Sequence, residues 1–406
     1  MKIQLIGDIW LTQADISMFF SKPEPDLLLA NLETPALWSG TPIEKRRKAG
    51  PHIQGNAAYL KNITACLPGI KCVSLANNHA MDYGQLGLNQ TISACRQSNV
   101  MTIGAGSNLD NAERPEVIEI GDIRVGIISC CETQFGIAGF SSPGVAPFSP
   151  RICGIIQRLK KNVDFIIASV HGSVEMSPWP SPHWQDQMRS LIDMGANLVH
   201  GHHSHVPQGY EQYNHGLIFY GLGNFLVKPN DWKNIPNTLW SITPECPILA
   251  DYSVLKDIDE HVIRTVVISD KNGCAHIERS SETDLSHHLS YLKKCNLPLS
   301  NRTLLTGLWQ ELSLWIYRDW HEKELGFWPV TDTFEYRAGF RRIAEEFKEI
   351  LSKRRRANKS ILRYLLVSCE SHRDVVSTAL AIQSGEVEDL RTTQTKSLLK
   401  SMMPTF

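Results

Sequence analysis

The stretch from Gly201 to His205, Gly-His-His-Ser-His, has the residue types best suited to chemistry in this chain. It follows the apolar pair Leu198-Val199 and precedes Pro207, so the three imidazoles are expected in a loop at the end of a strand. Neutral imidazole is a common ligand for metals such as zinc, and His203 and His205, two residues apart, can reach one small volume. Taken alone, these histidines could equally be a surface cluster that arose by chance.

Other candidate ligands also follow short apolar runs. Such runs, bounded by turn residues, are typical of buried parallel strands, and ligands bind outside the carboxyl ends of these strands. Four further runs end in a carboxylate, an amide or an imidazole: Ile3–Ile6 before Asp8, Leu27–Ala30 before Asn31 and Glu33, Cys72–Ala76 before Asn77-Asn78-His79, and Phe165–Val170 before His171. Each residue taken singly is better explained as a core histidine or a helix cap, whereas the whole set favours one site.

The order of these residues, Asp, Glu, Asn-His, His and His-x-His, indicates a hydrolase that uses two metal ions. Two divalent ions about 3.5–4 Å apart need a bridging anionic ligand and a mixture of oxygen and nitrogen ligands. Such ions activate a water for attack on a phosphate ester and neutralise the charge on the transferring oxygens. An imidazole that binds no metal can protonate the leaving oxygen, and His79, directly after a candidate amide ligand, is placed for that role.

Composition and charge restrict the class of protein. The chain has 406 residues, of which 42% are hydrophobic and 20% charged, enough for two ordinary domains with a buried core. The net charge of −1 gives no general attraction to nucleic acid, so no nucleic-acid partner is expected. The ten cysteines lack CxxC spacing, which favours free thiols in a reducing compartment. A strand that begins by residue 3, and no apolar stretch of 18 residues, predict a cytoplasmic protein without a signal peptide or integral membrane segment.

The periodicity of the sequence changes along the chain. Up to about residue 270, β-rich runs alternate with predicted helices at 85–99, 151–162 and 184–194, and residues 117–130 predict a hairpin. We therefore expect an α/β domain over residues 1–280, with two packed sheets and helices outside. After residue 281 the apolar residues follow helical stripes: Leu304, Leu305, Leu308, Leu312, Trp315 and Ile316, then Phe340, Ile343, Phe347 and Ile350. Residues 281–406 are predicted to be a helical C-terminal region.

Four segments of the chain carry a family resemblance. They are 31–35 (Asn-Leu-Glu-Thr-Pro), 74–84 (Ser-Leu-Ala-Asn-Asn-His-Ala-Met-Asp-Tyr-Gly), 201–209 (Gly-His-His-Ser-His-Val-Pro-Gln-Gly) and 222–225 (Leu-Gly-Asn-Phe). Together they resemble the CapA-type poly-γ-glutamate capsule-synthesis proteins of the calcineurin-like metallophosphoesterase superfamily. The resemblance covers about residues 1–230, and its Asn-Asn-His-x-x-Asp-x-Gly pattern is highly specific. It implies a four-layer α/β/β/α sandwich, to which the all-α C-terminal region would be an appendage.

The resemblance also implies a set of metal ligands drawn from the strand ends. These are Asp8 on a first ion, Glu33 as the bridging carboxylate, Asn78 and His171 on a second ion, and His203 and His205 on one ion each. The implied cofactor is one or two divalent ions of manganese, iron or zinc, because the same ligands suit several metals.

The catalytic and substrate-binding residues come from the same segments and from one basic run. The resemblance implies that His79 is the acid or charge stabiliser and that Asp82 orients it through a hydrogen bond. Asn31, beside the bridging carboxylate, is a predicted substrate-binding residue. Lys45 and Arg46 begin the run Lys-Arg-Arg-Lys, which could bind an anionic small molecule or polymer. An exposed charged loop without a ligand is an equally good interpretation of that run.

The chain departs from the family pattern at three places. Trp10 stands where the superfamily usually has a histidine, which leaves the first metal site with fewer ligands. Residues 171–175 read His-Gly-Ser-Val-Glu where capsule-type members typically read His-Trp-Gly-x-Glu, which predicts a different pocket wall. Capsule-type members are often anchored in a membrane outside the cytoplasm, and no anchor is predicted here. In addition, His202 replaces a glycine of the superfamily and is a candidate donor outside the ligand set.

The leading hypothesis is a metal-dependent hydrolase of phosphoester type. Two alternatives remain open. One is a non-hydrolytic component of poly-γ-glutamate or cell-envelope polymer biosynthesis, and the other is a metal-dependent hydrolase of an amide bond, since a water activated by two metals also attacks carbonyl groups. The sequence leaves the oligomeric state and the role of the helical region unknown.

Overall fold

The computed structural model of the chain describes residues 1–12, 16–18, 24–40, 43–227, 238–248, 263–271, 274–321 and 353–403. The strands in these ranges are β1 (Lys2–Ile9), β2 (Ile16–Met18), β3 (Leu27–Leu32), β4 (Ala36–Leu37), β5 (Gly55–Asn56), β6 (Ile70–Ser74), β7 (Met101–Ile103), β8 (Ala105–Gly106), β9 (Glu116–Ile120), β10 (Ile123–Cys131), β11 (Gly144–Val145), β12 (Phe165–His171), β13 (Leu198–His202), β14 (Tyr210–Tyr213), β15 (Gly216–Phe219), β16 (Asn224–Leu226), β17 (Thr238–Ile242), β18 (Glu245–Pro247), β19 (Thr265–Lys271) and β20 (Cys274–Arg279). The helices are α1 (Ala57–Cys66), α2 (Gly84–Gln97), α3 (Leu109–Ala112), α4 (Pro150–Leu159), α5 (Pro182–Met194), α6 (Glu282–Asn296), α7 (Arg302–Ile316), α8 (Lys353–Ser368), α9 (Glu370–Ser384) and α10 (Thr393–Met402), with a π-helical turn at Tyr317–His321.

The first large sheet has parallel strands in the order β16-β1-β3-β6-β7, and β18 pairs antiparallel with β1. Its central strands β1 and β3 are buried almost throughout, as expected for strands covered on both faces. Asp8 of β1 lies level with Asn31 of β3 on one side and with Asn224 of β16 on the other. Three polar side chains therefore begin from neighbouring positions at the carboxyl edge of this sheet.

The second large sheet has the order β14-β15-β13-β12-β10-β9. Its four central strands are parallel, and an antiparallel hairpin closes each edge. His171, the last residue of β12, lies level with Cys131 of β10 and with His202 of β13. This sheet thus also ends in imidazoles at its carboxyl edge.

Three apolar clusters define the layers. Between the two sheets, Leu5 of β1 shares a cluster with Ile127 of β10. The other face of the first sheet packs against α1 and α2, for example through Leu60. The other face of the second sheet packs against α4 and α5, for example through Ile156. The expected four-layer α/β/β/α sandwich is therefore confirmed, and its apolar core lies on both faces of each sheet.

The three helices and the hairpin predicted in the first 230 residues are present, with boundaries that differ by at most three residues. The predicted helices are α2, α4 and α5, and the hairpin turns at Gly121 with a φ of +59°. The expectation that His202, His203 and His205 all lie in a loop is wrong for His202. Strand β13 continues to that residue because Gly201 and His202 pair with Val170 and His171 of β12.

Three smaller sheets also occur in the described residues. Strands β17, β19, β20 and β2 form a four-stranded sheet, and the pairs β4–β5 and β8–β11 are short. The parallel pairing of β4 with β5 draws together the ends of the segment 38–54, which carries the predicted substrate-binding residues Lys45 and Arg46. The nine cysteines for which the structure describes side chains are free thiols, and seven of them are buried.

The described residues form two compact units, 1–46 with 52–306 and 47–51 with 307–406. The described residues from 307 onward are mostly helical. The apolar stripe beginning at Leu304 is confirmed in α7. The stripe from Phe340 to Ile350 lies outside the described residues. The domain boundary at 280/281 stays a prediction. Among the described residues, no helix has the length and apolar character needed to cross a membrane.

Candidate metal centre

One carboxylate oxygen of Asp8 accepts a hydrogen bond within the protein, and the other has no hydrogen-bond partner. Its side chain is buried, and its Oδ1 accepts a hydrogen bond of 2.8 Å from Asn31 Nδ2. Its Oδ2 has no hydrogen-bond partner and lies 3.5 Å from His205 Nδ1. Burial acts to raise the pKa of Asp8, but its contact with His202 and the charges of His202 and His205 outweigh burial and leave the pKa below its ordinary value. Asp8 therefore stays ionised, as a metal ligand must be.

Glu33 has the same arrangement. It is fully buried, and its Oε2 accepts a hydrogen bond of 2.7 Å from the indole nitrogen of Trp10. Its Oε1 has no hydrogen-bond partner and lies 3.7 Å from His171 Nε2 and 3.6 Å from His205 Nε2. Burial, opposed by the charge of His205 and assisted by that of Asp8, raises the pKa of Glu33 to about 8. This carboxyl group is thus buried at a cost that a bound cation would offset.

Strand β12 and the turn after β13 place the three predicted imidazole ligands. His203 and His205 have φ values of +88° and +56°, in the left-handed region that side chains with a Cβ rarely adopt, and such strain concentrates at functional sites. Burial, together with the charges of neighbouring histidines, holds the pKa of His171 well below its ordinary range, so this ring is neutral. The charges of Glu33 and Asp8 overcome the effect of burial on His205 and raise its pKa. Neutral imidazole is the form that binds a metal, so His171 is ready as a ligand.

The donor atoms fit a divalent metal. Within the described residues, three groups have ligand atoms within 4.8 Å of one another: Asp8 with Glu33 and His205, Glu33 with His171 and His203, and Glu175 with His203 and His205. Two ligands about 2.1 Å from one ion in a tetrahedral arrangement lie about 3.4 Å apart, close to the separations found around Glu33 Oε1. Glu33 belongs to two of these groups. The buried cluster is compatible with a divalent metal site.

Asn78 and Asn31 both contact His171. Asn78 Oδ1 lies 3.1 Å from His171 Nε2, so the predicted amide and imidazole ligands of the second ion are brought together. Asn31 Nδ2, which donates to Asp8, also lies 3.2 Å from His171 Nδ1. The side chain of Asn31 is buried between these two candidate ligands. Asn31 therefore links the carboxyl edges of the two sheets at the site.

His79 and Asp82 form a buried pair beside this cluster. His79 Nδ1 lies 2.9 Å from Asp82 Oδ2, which also accepts a hydrogen bond from the backbone of Ile53. The side-chain oxygen of Asn77 accepts hydrogen bonds from the backbone of His79 and fixes the turn that carries the pair. His79 directly follows Asn78, whose Oδ1 lies 3.1 Å from His171 Nε2, and this places the pair next to the candidate ligands. The hydrogen bond expected between His79 and Asp82 is present in the structure.

The basic residues lie at the surface near that turn. Lys45 and Arg46 are exposed, and the backbone amide of Arg46 donates a hydrogen bond of 2.8 Å to the carbonyl of Asp82. The backbone of Arg46 is therefore attached to the His79 turn. Within the part of the chain that the structure describes, no contact places Lys45 at the cluster.

Three residues of the site were missed by the sequence reasoning. Glu132 follows β10, is fully buried and lies 3.8 Å from His203 Nε2. Glu175 is an exposed member of one ligand group. Asn224 accepts a hydrogen bond of 2.9 Å from His205 Nδ1 through its Oδ1. Both Glu175 and Asn224 lie in segments that the family resemblance had singled out, so a signal for them existed.

Gly172, where capsule-type members typically have a tryptophan, lies against Trp184 of α5. A Cβ at this glycine would contact the ring of Trp184 and would lie 3.1 Å from Glu132 Cβ. Trp184 is buried, and it fills the space in which a larger residue 172 would start. The space beside residue 172 is therefore filled by a tryptophan of α5.

The chain is similar to several known proteins. The sequence matches the family model described as bacterial capsule synthesis protein PGA_cap over residues 10–229. It is 30% identical over 207 residues to the PGA biosynthesis protein CapA of Bacillus subtilis, covering 50% of this chain and 53% of that protein. It is 27% identical over 224 residues to a probable polyglutamine synthesis accessory protein of Mycobacterium tuberculosis, covering 52% and 57%. A crystal structure titled as a novel phosphatase from Mycoplasma pneumoniae aligns with a TM-score of 0.39 and 14% identity, over 73% of this chain and 98% of that one. The chain spans about half the length of the curated relatives it matches.

Proposed function

The chain belongs to the bacterial capsule synthesis protein PGA_cap family, and we propose that it is a metal-dependent hydrolase of phosphoester type. The observation that carries the proposal is the position of Glu33 Oε1. This buried oxygen has no hydrogen-bond partner and lies 3.6–3.7 Å from a nitrogen of His205 and of His171. Such an arrangement suits a carboxylate shared between two divalent ions.

The proposed ligands divide into two sets that share Glu33. Asp8 and His205 would hold a first ion. Asn78, His171 and His203 would hold a second, with Glu175 as a further donor on the solvent side. Manganese, iron and zinc all suit these oxygen and nitrogen donors. When bound, such ions supply an activated water and neutralise the charge that develops on a transferring phosphoryl group.

His79 is the proposed general acid. Its Nδ1 lies 2.9 Å from Asp82 Oδ2, so the carboxylate holds a proton on Nδ1 and Nε2 is the atom that exchanges a proton with substrate. Asp82 is itself fixed by the amide of Ile53, so the ring keeps one orientation. Nε2 would donate its proton to the leaving oxygen as the phosphoester bond breaks.

The proposed substrate is anionic. Arg46 is proposed to bind the part of the substrate beyond the reacting group, with Lys45 beside it, and Asn31 is proposed to bind substrate at the metal cluster.

Replacing Arg46 by Ala is expected to raise KM for an anionic phosphoester about two- to fivefold and to leave kcat unchanged, because an exposed ionic contact contributes up to about 1 kcal/mol. Steady-state kinetics of the variant check this. Lys61→Ala, an exposed cation on α1, is the control. Equal KM values for the two variants would remove Arg46 from the substrate site.

The function is tested with the full chain after dialysis against a chelator and reconstitution with Mn²⁺. Calorimetry measures ion binding, and release of p-nitrophenol from its phosphate monoester and bis-ester measures hydrolysis. We expect bound Mn²⁺ and Mn²⁺-dependent turnover. Failure to bind Mn²⁺, Zn²⁺ or Fe²⁺ would refute the metal centre, and binding without turnover on either ester would refute phosphoester hydrolysis.

A second candidate is a non-hydrolytic component of poly-γ-glutamate synthesis. It is favoured by the names of the relatives, which refer to biosynthesis and to an accessory role and not to hydrolysis. The metal cluster would then stabilise a binding module. Incubation of the Mn²⁺-loaded protein with poly-γ-glutamate separates the cases: binding without new chain ends supports the module, whereas new amino termini would indicate an amide hydrolase.

A further inference from the structure

Trp10 is a buried aromatic residue whose polar atom is directed at a candidate metal ligand. It is 6% exposed, and its indole N–H donates the 2.7 Å hydrogen bond to Glu33 Oε2. From this contact we infer that Trp10 is a positioning residue of the metal centre: it holds one oxygen of Glu33 so that only the other can reach the ions. The inference rests on the metal centre of the proposed function and gives a role to a residue that supplies no ligand.

The two oxygens of Glu33 have different surroundings. Oε2 is occupied by the indole N–H, whereas Oε1 is buried without a hydrogen-bond partner between two imidazole nitrogens. A free carboxylate could rotate and bind a single ion through both oxygens. With Oε2 held, Glu33 is restricted to Oε1, and a single oxygen midway between His171 and His205 is suited to two ions at once.

Asp8 repeats this arrangement with a different donor. Asn31 holds Asp8 Oδ1 with a hydrogen bond of 2.8 Å, and Asp8 Oδ2 has no hydrogen-bond partner. Each buried carboxylate thus has one oxygen fixed by a neutral N–H donor and one left open. Packing alone explains why the ring of Trp10 is buried, but it does not require that the N–H meet the one carboxylate shared by two ligand groups.

The position of the ring adds a second contact with the same site. Trp10 packs edge-on against His205, with ring centroids 6.0 Å apart and planes at 89°. His205 is the imidazole on one side of Glu33 Oε1. One side chain therefore restrains both Glu33, by a hydrogen bond, and His205, by ring contact, so its removal should alter ion binding more than folding.

The test compares Mn²⁺ binding by wild type, Trp10→Phe and Trp10→Gln, using calorimetry on the full chain. The Phe variant keeps an apolar ring without the donor and is expected to bind Mn²⁺ about 10- to 100-fold more weakly, the usual effect of losing a residue that orients a ligand. The Gln variant keeps an N–H donor and is expected to lie between Phe and wild type. Trp10→Met, also without a donor, serves if the Phe variant does not fold.

Trp179→Phe is the matched control. Its indole is also buried and donates a 3.2 Å hydrogen bond, but to the carbonyl of Lys294. Both Phe variants should lower the Tm of the metal-free protein, and only Trp10→Phe should weaken Mn²⁺ binding. Equal Mn²⁺ affinity in Trp10→Phe and wild type would overturn the inference while leaving the proposed function intact. If wild type itself binds no divalent ion, the proposed function fails first.

Discussion

Replacing His79 by Ala is expected to lower kcat for a phosphoester about 10²- to 10⁴-fold while Mn²⁺ binding stays at the wild-type level. The reason is that proton donation and metal binding are assigned to different residues of the site. His79 belongs to none of the ligand groups found among the described residues, and its Nδ1 is engaged by Asp82. Removal of the ring takes away the proton donor for the leaving oxygen and leaves the donor atoms for the metal in place.

The measurement pairs kinetics with calorimetry on the same preparation. His183→Ala, which removes an exposed imidazole from the first turn of α5, is the control and should change neither quantity. Asp82→Asn should give a smaller loss of kcat, because the ring stays but its orientation and proton are less well fixed. Full activity of His79→Ala would exclude His79 as the general acid, and loss of Mn²⁺ from this variant would make it a metal ligand.

Esters with leaving groups of different pKa test whether His79 donates a proton. An ester with a good leaving group needs little protonation as its bond breaks, so the loss in His79→Ala should shrink when p-nitrophenol is replaced by a more acidic phenol. If the loss is the same for all leaving groups, His79 stabilises charge on the phosphoryl oxygens and does not donate the proton. Both roles were open in the sequence, and this comparison separates them.

The strand-end residues could be predicted because the physics behind them is local. An apolar run such as 165–170 predicts a buried parallel strand, and a polar residue directly after it can only lie at the carboxyl edge. Asp8 and Asn31 were found in this way, and they are level in the sheet. The layer order followed from alternation of β-rich runs and helices, helped by the family resemblance.

The contacts that complete the site have no such signal. Trp10 and Glu33 are 23 residues apart, and nothing in their spacing predicts that an indole N–H meets a carboxylate. Glu132 also ends a strand, but it follows the two cysteines of β10 and resembles an ordinary surface glutamate in sequence. Its side chain is buried beside Gly172, which lies against Trp184, and this proximity exists only once the layers are assembled.

The position of His202 also depends on a contact that the sequence does not reveal. The family resemblance implies a ligand role for His203 and His205 but not for His202. Whether His202 lies in the strand or in the loop depends on how far β13 continues. Pairing with β12 keeps His202 in the strand, where its Nδ1 lies 3.3 Å from Asp8 Oδ1 and its Nε2 lies 3.3 Å from Ser169 Oγ. Sequence spacing alone cannot distinguish a strand that ends at residue 199 from one that ends three residues later.

Glu33→Gln is expected to weaken Mn²⁺ binding more than 100-fold. Loss of a residue that merely orients a ligand already costs about 10- to 100-fold, and Glu33 supplies an oxygen to two ligand groups. Gln keeps the size of the side chain and an oxygen that can accept from Trp10, so the loss reports charge and not packing. Glu113→Gln, at another buried glutamate, is the control and should keep wild-type affinity. Equal Mn²⁺ affinities of Glu33→Gln and wild type would exclude Glu33 as a ligand.

The same variant should change how the metal-free protein responds to pH. The pKa of Glu33 is raised from 4.5 to about 8 by burial, so the folded chain keeps a proton that the unfolded chain has lost. The stability associated with this proton is complete below pH 4.5 and is lost as pH rises to about 8, at about 1.4 kcal/mol per pH unit. Glu33→Gln has no proton to lose, so its free energy of unfolding should exceed that of wild type by an amount that grows across this window and then stays constant. Urea unfolding at several pH values, with chelator present, measures the difference.

Bound Mn²⁺ should reverse the order of stability of wild type and Glu33→Gln, because the ion replaces the proton on Glu33 and its affinity for wild type rises with pH up to about 8. A difference between the two metal-free proteins that does not vary with pH would mean that Glu33 is ionised in the folded chain, and the buried carboxylate would then need another cation to hold it.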